Sequence, residues 1–464
     1  MKKLYTLFSL LICMFIAGQS MAQINMVGDT IHNDTTWTDT VNVIDNIYIP
    51  DTVTLTIQPG TYVQFADSYY IKVDGSVNAM GALNDSITFI GDSTGFSTLS
   101  HIGWRGFSFD EPESNDSSFF SFCIFMYLRG PFDYDAVFYT NDFSNLVVEN
   151  SRFSYNYNNN EASCFQIEEA GNSMIRNNLF THNYSYYSCI QLGCATVGPN
   201  TTIIGNTFMY NYGYNEGSCL KISAFSQAHV INNVFQHNYC EGNGGAICIS
   251  GYANPTLIGN LIEDNYSESM GGGIAIKYHA HPNIINNTIA NNYTEGNGGG
   301  IQVSCSSINP LFQNNIIWGN EAIGNGYQVY IDDSYGTAGF QFINNIMQDS
   351  IYYEYNNVNV GLEINTIYSS PMFLDSANGN YHLTCGSPAI NGGIDPMTML
   401  PPFDLDGNMR IDGSTIDIGA YEYVLDNFIL TDPQNTQVSS GQIANFAISA
   451  PFATAFQWME STDY

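Results

Sequence analysis

From Phe153 to Met347 one apolar position returns at a nearly constant interval. Its occupants are Phe153, Phe180, Phe208, Phe235, Ile262, Ile289, Ile317 and Met347, separated by 27, 28, 27, 27, 27, 28 and 30 residues. A second phrase keeps the same beat, as in Gly245-Ala246-Ile247, Gly272-Gly273-Ile274 and Gly299-Gly300-Ile301. A fixed period of this length means stacked units, each too small to bury its own apolar face. Within one unit the apolar and polar positions alternate over three short runs: Ile274–Tyr278, Asn283–Asn286 and Thr288–Asn291. Turns fall near His281-Pro282 and at Gly296–Gly299. Three strands and three turns in about 27 residues predict an all-β chain, a right-handed parallel β-helix solenoid with coils about 4.8 Å apart. The alternation points Ile274 and Ile276 inward and places Gln166, Gln191, Lys221, Cys248, Ala275, Gln302 and Tyr330 on an outward row.

Two polar rows share the register. Asn156, Asn183, Asn211, Asn238, Asn265, Asn292 and Asn320 occupy one position, and Tyr157, Tyr184, Tyr212, Tyr239, Tyr266 and Tyr293 the next. Asn tolerates the left-handed backbone of a tight turn, stacked amides can bond from coil to coil, and stacked Tyr rings add aromatic contact. Phe125 stands 28 residues before Phe153 and extends the register upstream. Short β-branched runs at Val53–Ile57, Tyr62–Phe65, Tyr70–Val73 and Ser86–Ile90 predict the opening coils. An open coil end exposes core and unpaired backbone, so a cap is required there.

Phe-x-x-Asn followed by Gly-Gly-Ala-Ile, at Phe235–Asn238 and Gly244–Ile247, resembles the repeat of chlamydial polymorphic outer-membrane proteins. The fuller pattern, over residues 50–424, is similar to secreted right-handed β-helix repeat proteins of the Bacteroidetes type. Their closing segment resembles Gly386–Glu422 here, which implies a cap on the last coil. Phe456-Gln457-Trp458 resembles the Trp-bearing strand of an immunoglobulin-like sandwich. Such a module needs about 100 residues, so only its start is expected. The organisation read from the chain is a signal peptide (1–23), N-terminal cap and first coils (24–100), β-helix (101–385), C-terminal cap segment (386–424) and an incomplete immunoglobulin-like domain (425–464).

Composition narrows the partners. Lys2 and Lys3 precede an apolar run that ends at Ser20-Met21-Ala22, a secretory signal pattern, so export is expected with display outside the cell or on the bacterial outer surface. No other stretch is long and apolar enough for a membrane-spanning helix. The 464-residue chain carries 10 Lys and Arg against 43 Asp and Glu, a formal charge of −33, which disfavours nucleic acid and anionic lipid headgroups. Ten cysteines, one of them (Cys13) inside the signal run, leave an odd number. Cys164, Cys189 and Cys219 share one repeat position, as small core fillers or as disulfide partners on adjacent coils.

Three groups could carry chemistry. Glu241, Glu268 and Glu295 each lie three residues after a row Asn, which stacks them on adjacent coils at roughly 5 Å, near the carboxyl separation of retaining glycosidases. Lys277 lies in a cluster with Tyr278, His279 and His281, and polysaccharide lyases on this fold use a basic residue to abstract a proton. Asp404, Asp406, Asn408 and Asp412 offer oxygen ligands around Gly407 for Ca2+, although Thr415 stands where a calcium loop wants its bidentate Glu. The competing role is structural, with Asp404 or Asp417 pairing Arg410. The reading favoured is a non-catalytic surface module, adhesive or glycan-binding, on a longer multidomain chain. It would bind a polysaccharide or a host or cell-surface protein. The alternative is a polysaccharide lyase or glycoside hydrolase, which rests on fold analogy.

Overall fold

The computed structural model describes residues 24–91, 103–109, 117–130, 134–141, 145–169, 173–193, 199–304, 309–332, 339–355, 362–396, 400–411 and 414–424. The expected signal peptide, the immunoglobulin-like start and Asp412 lie outside them. The chain winds as an all-β parallel solenoid, each strand pairing in register with its counterpart one coil on. The coil around residue 280 contains the three expected strands, Ile274–Lys277, Asn283–Ile285 and Thr288–Ala290, and a fourth of two residues, Tyr293–Thr294. That short strand belongs to its own eight-stranded parallel sheet, which begins at Arg129–Gly130 and ends at Glu321–Ala322.

The period sets the core. Phe89 pairs with Phe125, Phe125 with Phe153, and the row continues through Phe180, Phe208, Phe235, Ile262, Ile289 and Ile317 to Met347. All are fully buried. The aromatic members stack with centroids 4.5–5.1 Å apart, since parallel in-register pairing brings identical side chains one coil spacing from each other. Cys164, Cys189 and Cys219 do share one position on successive coils, as buried free thiols. The glycine phrase has a steric reason. Gly271 has φ +69°, and a Cβ on Gly272 would lie 2.3 Å from the Gly299 carbonyl oxygen of the next coil.

The asparagines form two continuous amide rows, one of them unforeseen. In the expected row, Asn183 Nδ2 donates to Asn211 Oδ1 at 3.0 Å and to the Phe153 carbonyl at 3.0 Å, and Asn238 repeats the pattern with Asn265 and Phe208. The second row runs Asn178, Asn206, Asn233, Asn260, Asn287, Asn315 and Asn345, built alike. Neither row takes the left-handed backbone. That conformation falls on the residue before each inward Asn: Tyr155, His182, Tyr210 and His237 at φ +54° to +56°, and Asn177, Asn232, Asn286 and Asn314 at +49° to +55°. The amide has to point inward to reach the next coil, so the sharp turn is taken one residue earlier.

The segment expected to cap the last coil lies instead along the flank. An antiparallel hairpin, Phe373–Asp375 with Asn380–Leu383, and the described residues between it and 424 pack on outward side chains of five coils. Tyr381 and Tyr421 cover Leu261 and Ala290, while Leu383, Ala389 and Ile418 cover Ile316 and Ile346. The outward turn amides bind this strap: Asn232 to the carbonyls of Phe403 and Asp404, Asn286 to Asp417, Asn314 to Ile394 and Asn344 to Gly392. Leu261, Ala290, Ile316 and Ile346 make most of this outward surface apolar in the later coils, which favours the strap settling there.

The strap buries acids. Glu263 is 4% exposed, its Oε2 has no hydrogen-bond partner, and burial pushes its carboxyl up to about 7 although Tyr381 donates to it. Burial, reinforced by Asp417, pushes Glu422 up to about 8 against the pull of Arg410. Both groups have folded values above their unfolded ones. Their contribution is therefore full below pH about 4.5 and lost as pH rises through 7 to 8.

Two outcomes test these arguments. Asn238→Ala orphans buried backbone groups and should cost roughly 2–4 kcal/mol in urea unfolding, against under about 0.5 for exposed Asn254→Ala. Glu263→Gln keeps an acceptor for Tyr381 and removes the buried charge. It should stabilise the protein by roughly 1–3 kcal/mol at pH 8.5 and leave the melting midpoint unchanged at pH 5.

Candidate functional site

The three glutamates stand on adjacent coils in the expected register, each just past the two-residue strand that carries a row Tyr. Their backbone amides bond to Gly213, Cys240 and Ser267, each at 3.0 Å. Each carboxylate accepts a hydrogen bond from the Tyr hydroxyl one coil before it: Tyr212 to Glu241, Tyr239 to Glu268, Tyr266 to Glu295. The hydrogen bond to Glu295 and burial push Tyr266 up to about 12, and Glu268 acts the same way on Tyr239. Glu268 and Glu295 are exposed and Glu241 half-buried. The carboxylates thus serve as acceptors that fix the rims of a tyrosine row, whose six rings from Tyr157 to Tyr293 stack at 4.5–5.3 Å.

Lys277 is tied to a different carboxylate. Its Nζ lies 2.7 Å from Glu216 Oε1, and Lys221 Nζ lies 3.3 Å from Glu216 Oε2. Burial works against the Lys277 charge, but the Glu216 carboxylate beside it outweighs this and the pKa is raised, so the amine is an ammonium at neutral pH. As an ammonium held on Glu216, Lys277 has no lone pair with which to take a proton. The expected catalytic set therefore falls into two separate hydrogen-bond networks.

The loop around Gly407 is internally saturated. Asp404, 2% exposed, accepts the backbone N–H groups of Asp406 and Asn408 on Oδ1, and that of Glu422 together with the Asn408 amide on Oδ2. Asp406 pairs with His382, whose pKa rises through that hydrogen bond. Four protein donors already occupy the Asp404 carboxylate, so calcium would have to displace them. Among the described residues no cluster of three or more His, Cys, Asp or Glu is placed to hold a metal ion. Arg410 pairs with neither Asp404 nor Asp417. Its Nη1 lies 3.7 Å from Glu422 and reaches the Gly419 and Ala420 carbonyls, because Asp404 and Asp417 are engaged by backbone N–H groups.

What the outside of the solenoid does present is stacked rings. Tyr127, Tyr155, His182, Tyr210 and His237 form one continuous file at 5.3–5.8 Å, four of them exposed and set on left-handed turn residues. Tyr155 and Tyr157 flank the inward Asn156, so this file and the tyrosine row run side by side along one corner. A third stack, Phe225, Tyr252 and His279, spans three coils at 5.3 and 4.8 Å on the turn that follows Lys277. Sequence reasoning missed the first file, the third stack, Glu216 and Lys221 as a group. The signal available was departure from the repeat: Glu216 stands in register with Asn243, and Lys221 follows Gln191.

The model of a family described as "Right handed beta helix region" matches residues 188–371. No curated protein matches this chain. Among solved structures, the A-module of the mannuronan C-5 epimerase AlgE6 from Azotobacter vinelandii is 12% identical, with 77% of this chain and 92% of that one covered and a TM-score of 0.41. A mannuronic acid specific polysaccharide family 6 lyase from human gut microbiota is also 12% identical, with 78% and 89% covered and a TM-score of 0.35. The matched stretch lies within the solenoid, and the fold of the chain is that of a parallel β-helix.

Proposed function

We propose that the solenoid is a non-catalytic glycan-binding module of an exported, surface-displayed protein. The observation that carries this reading is the exposed file Tyr155, His182, Tyr210 and His237, laid side by side with the tyrosine row. Stacked on one another along the file, the rings turn their edges, tyrosine hydroxyls and imidazole nitrogens outward, and a row that repeats every coil offers a linear polymer successive C–H edge contacts and hydrogen-bonding positions. Hydroxyls of the tyrosine row and the carboxylates of Glu241, Glu268 and Glu295 supply acceptors for sugar hydroxyls along its edge. Against turnover stands the geometry of the candidate catalytic groups: exposed carboxylates bound to Tyr, and a charged Lys277 bound elsewhere.

The test is a polysaccharide panel read for affinity and for new reducing ends or unsaturated products, with the parent protein and a Tyr155→Asn, Tyr210→Asn, His237→Asn variant. Asn removes the rings and accepts the left-handed backbone, as Asn291 already does at this position. Expected are binding without turnover, at least tenfold weaker binding in the variant, and unchanged melting. Undiminished binding in the variant would remove the aromatic file as the platform, and turnover by the parent would establish the enzyme reading.

A further inference from the structure

Lys221 and Lys277 converge on Glu216 from coils two apart, on the outward side of the strand row Leu220–Ile222, Ile247–Ile249 and Ile274–Lys277. Cys248, in register between Lys221 and Ala275, lies fully buried beneath them, within electrostatic range of all three charges. The Lys277, Lys221 and Glu216 side chains are 10%, 13% and 16% exposed. Lys221 Nζ also lies 3.2 Å from the centroid of the Tyr187 ring.

The charge count does not close. Two ammonium groups face one carboxylate, leaving one net positive charge in a chain with 10 basic and 43 acidic residues. Each ammonium carries three N–H donors, and Glu216 takes one from each. Beside the cluster lie Tyr278, 64% exposed and following Lys277 in the chain, and the stack Phe225, Tyr252 and His279. Phe225 is 46% and Tyr252 51% exposed. The N–H donors that Glu216 leaves, with the exposed Tyr278 ring 5.3 Å from Lys277 Nζ and the outward edges of the stack on the same turn, make a place for an anionic group on a saccharide, the rings meeting the sugar and the lysines the charge.

We infer that Lys221 and Lys277, with Phe225, Tyr252 and Tyr278, form a subsite for one carboxylate- or sulfate-bearing sugar within an otherwise neutral glycan. This rests on the glycan-binding reading above and names the ligand class. The restriction to a single anionic group follows from the charge count. One net positive charge matches one anion, whereas each further charge on the ligand meets the repulsion of a chain at −33. Glu216 is a positioning residue that holds both amines together and competes with the ligand for their donors.

Calorimetry with four probes tests the inference: a neutral β-linked gluco-oligosaccharide, the same chain oxidised to a carboxylate at one C6, its mono-6-sulfate, and a homopolymeric hexuronate oligomer. Expected is about tenfold tighter binding of a singly acidic probe than of the neutral one, with the hexuronate oligomer no tighter than neutral. The carboxylate and sulfate arms show which anion is preferred. Lys277→Gln should abolish the preference for the singly acidic probes. Glu216→Gln should strengthen the acidic probes several-fold, the reverse of what a merely structural ion pair predicts. Equal affinity for neutral and acidic probes, or a preference that survives Lys277→Gln, would overturn the subsite and leave the glycan reading standing. Absence of binding to all four would overturn both.

Discussion

The fold depends on inward asparagine amides that hydrogen-bond from coil to coil. Each carboxamide sits where no water reaches, donating back to the carbonyl of one coil and forward to the amide oxygen of the next. An unmet amide there costs about 1–3 kcal/mol, so every coil must place its Asn at the same height and turn. This requirement keeps the spacing at 27 or 28 residues across most of the solenoid. It also forces the residue before each Asn into the left-handed region, projecting outward.

That outward projection is what the surface is made of. Where the preceding residue is Tyr or His, the solenoid gains a file of rings. Where it is Asn, as at Asn232, Asn286, Asn314 and Asn344, the amides grip the carbonyls of the C-terminal strap. One turn geometry thus yields a ligand-facing corner and a covered flank, according to the residue that occupies it. The strap brings Glu263 and Glu422 into the covered flank, so its docking energy carries a pH dependence.

A repeat this regular makes its exceptions informative. The tyrosine row and its glutamate acceptors follow the period and act in concert as a rim. Glu216, Lys221 and Lys277 break it, and the break collects two of the chain's few cations around one carboxylate. In a solenoid each coil contacts only its neighbours, so a specialised site is built by local substitution on a few adjacent coils while the scaffold continues unchanged.

Much of this was legible without coordinates. The interval between Phe153 and Met347 implied parallel coils in register, and the alternation around Ile274 and Ile276 placed the core, because both are one-dimensional consequences of strand and coil spacing. The stacking of Glu241, Glu268 and Glu295 followed from the same arithmetic. What the sequence could not determine were contacts between residues far apart in the chain. Asn232 meets Asp404 172 positions on, and Lys277 reaches back 61 to Glu216. The calcium-like spacing of Asp404, Asp406 and Asn408 likewise said nothing of the Glu422 amide that occupies Asp404. Period and pattern determine which residues share a face of a solenoid. Which faces are covered, and which side chains lean across coils to meet, depends on how the folded surface packs against its own chain.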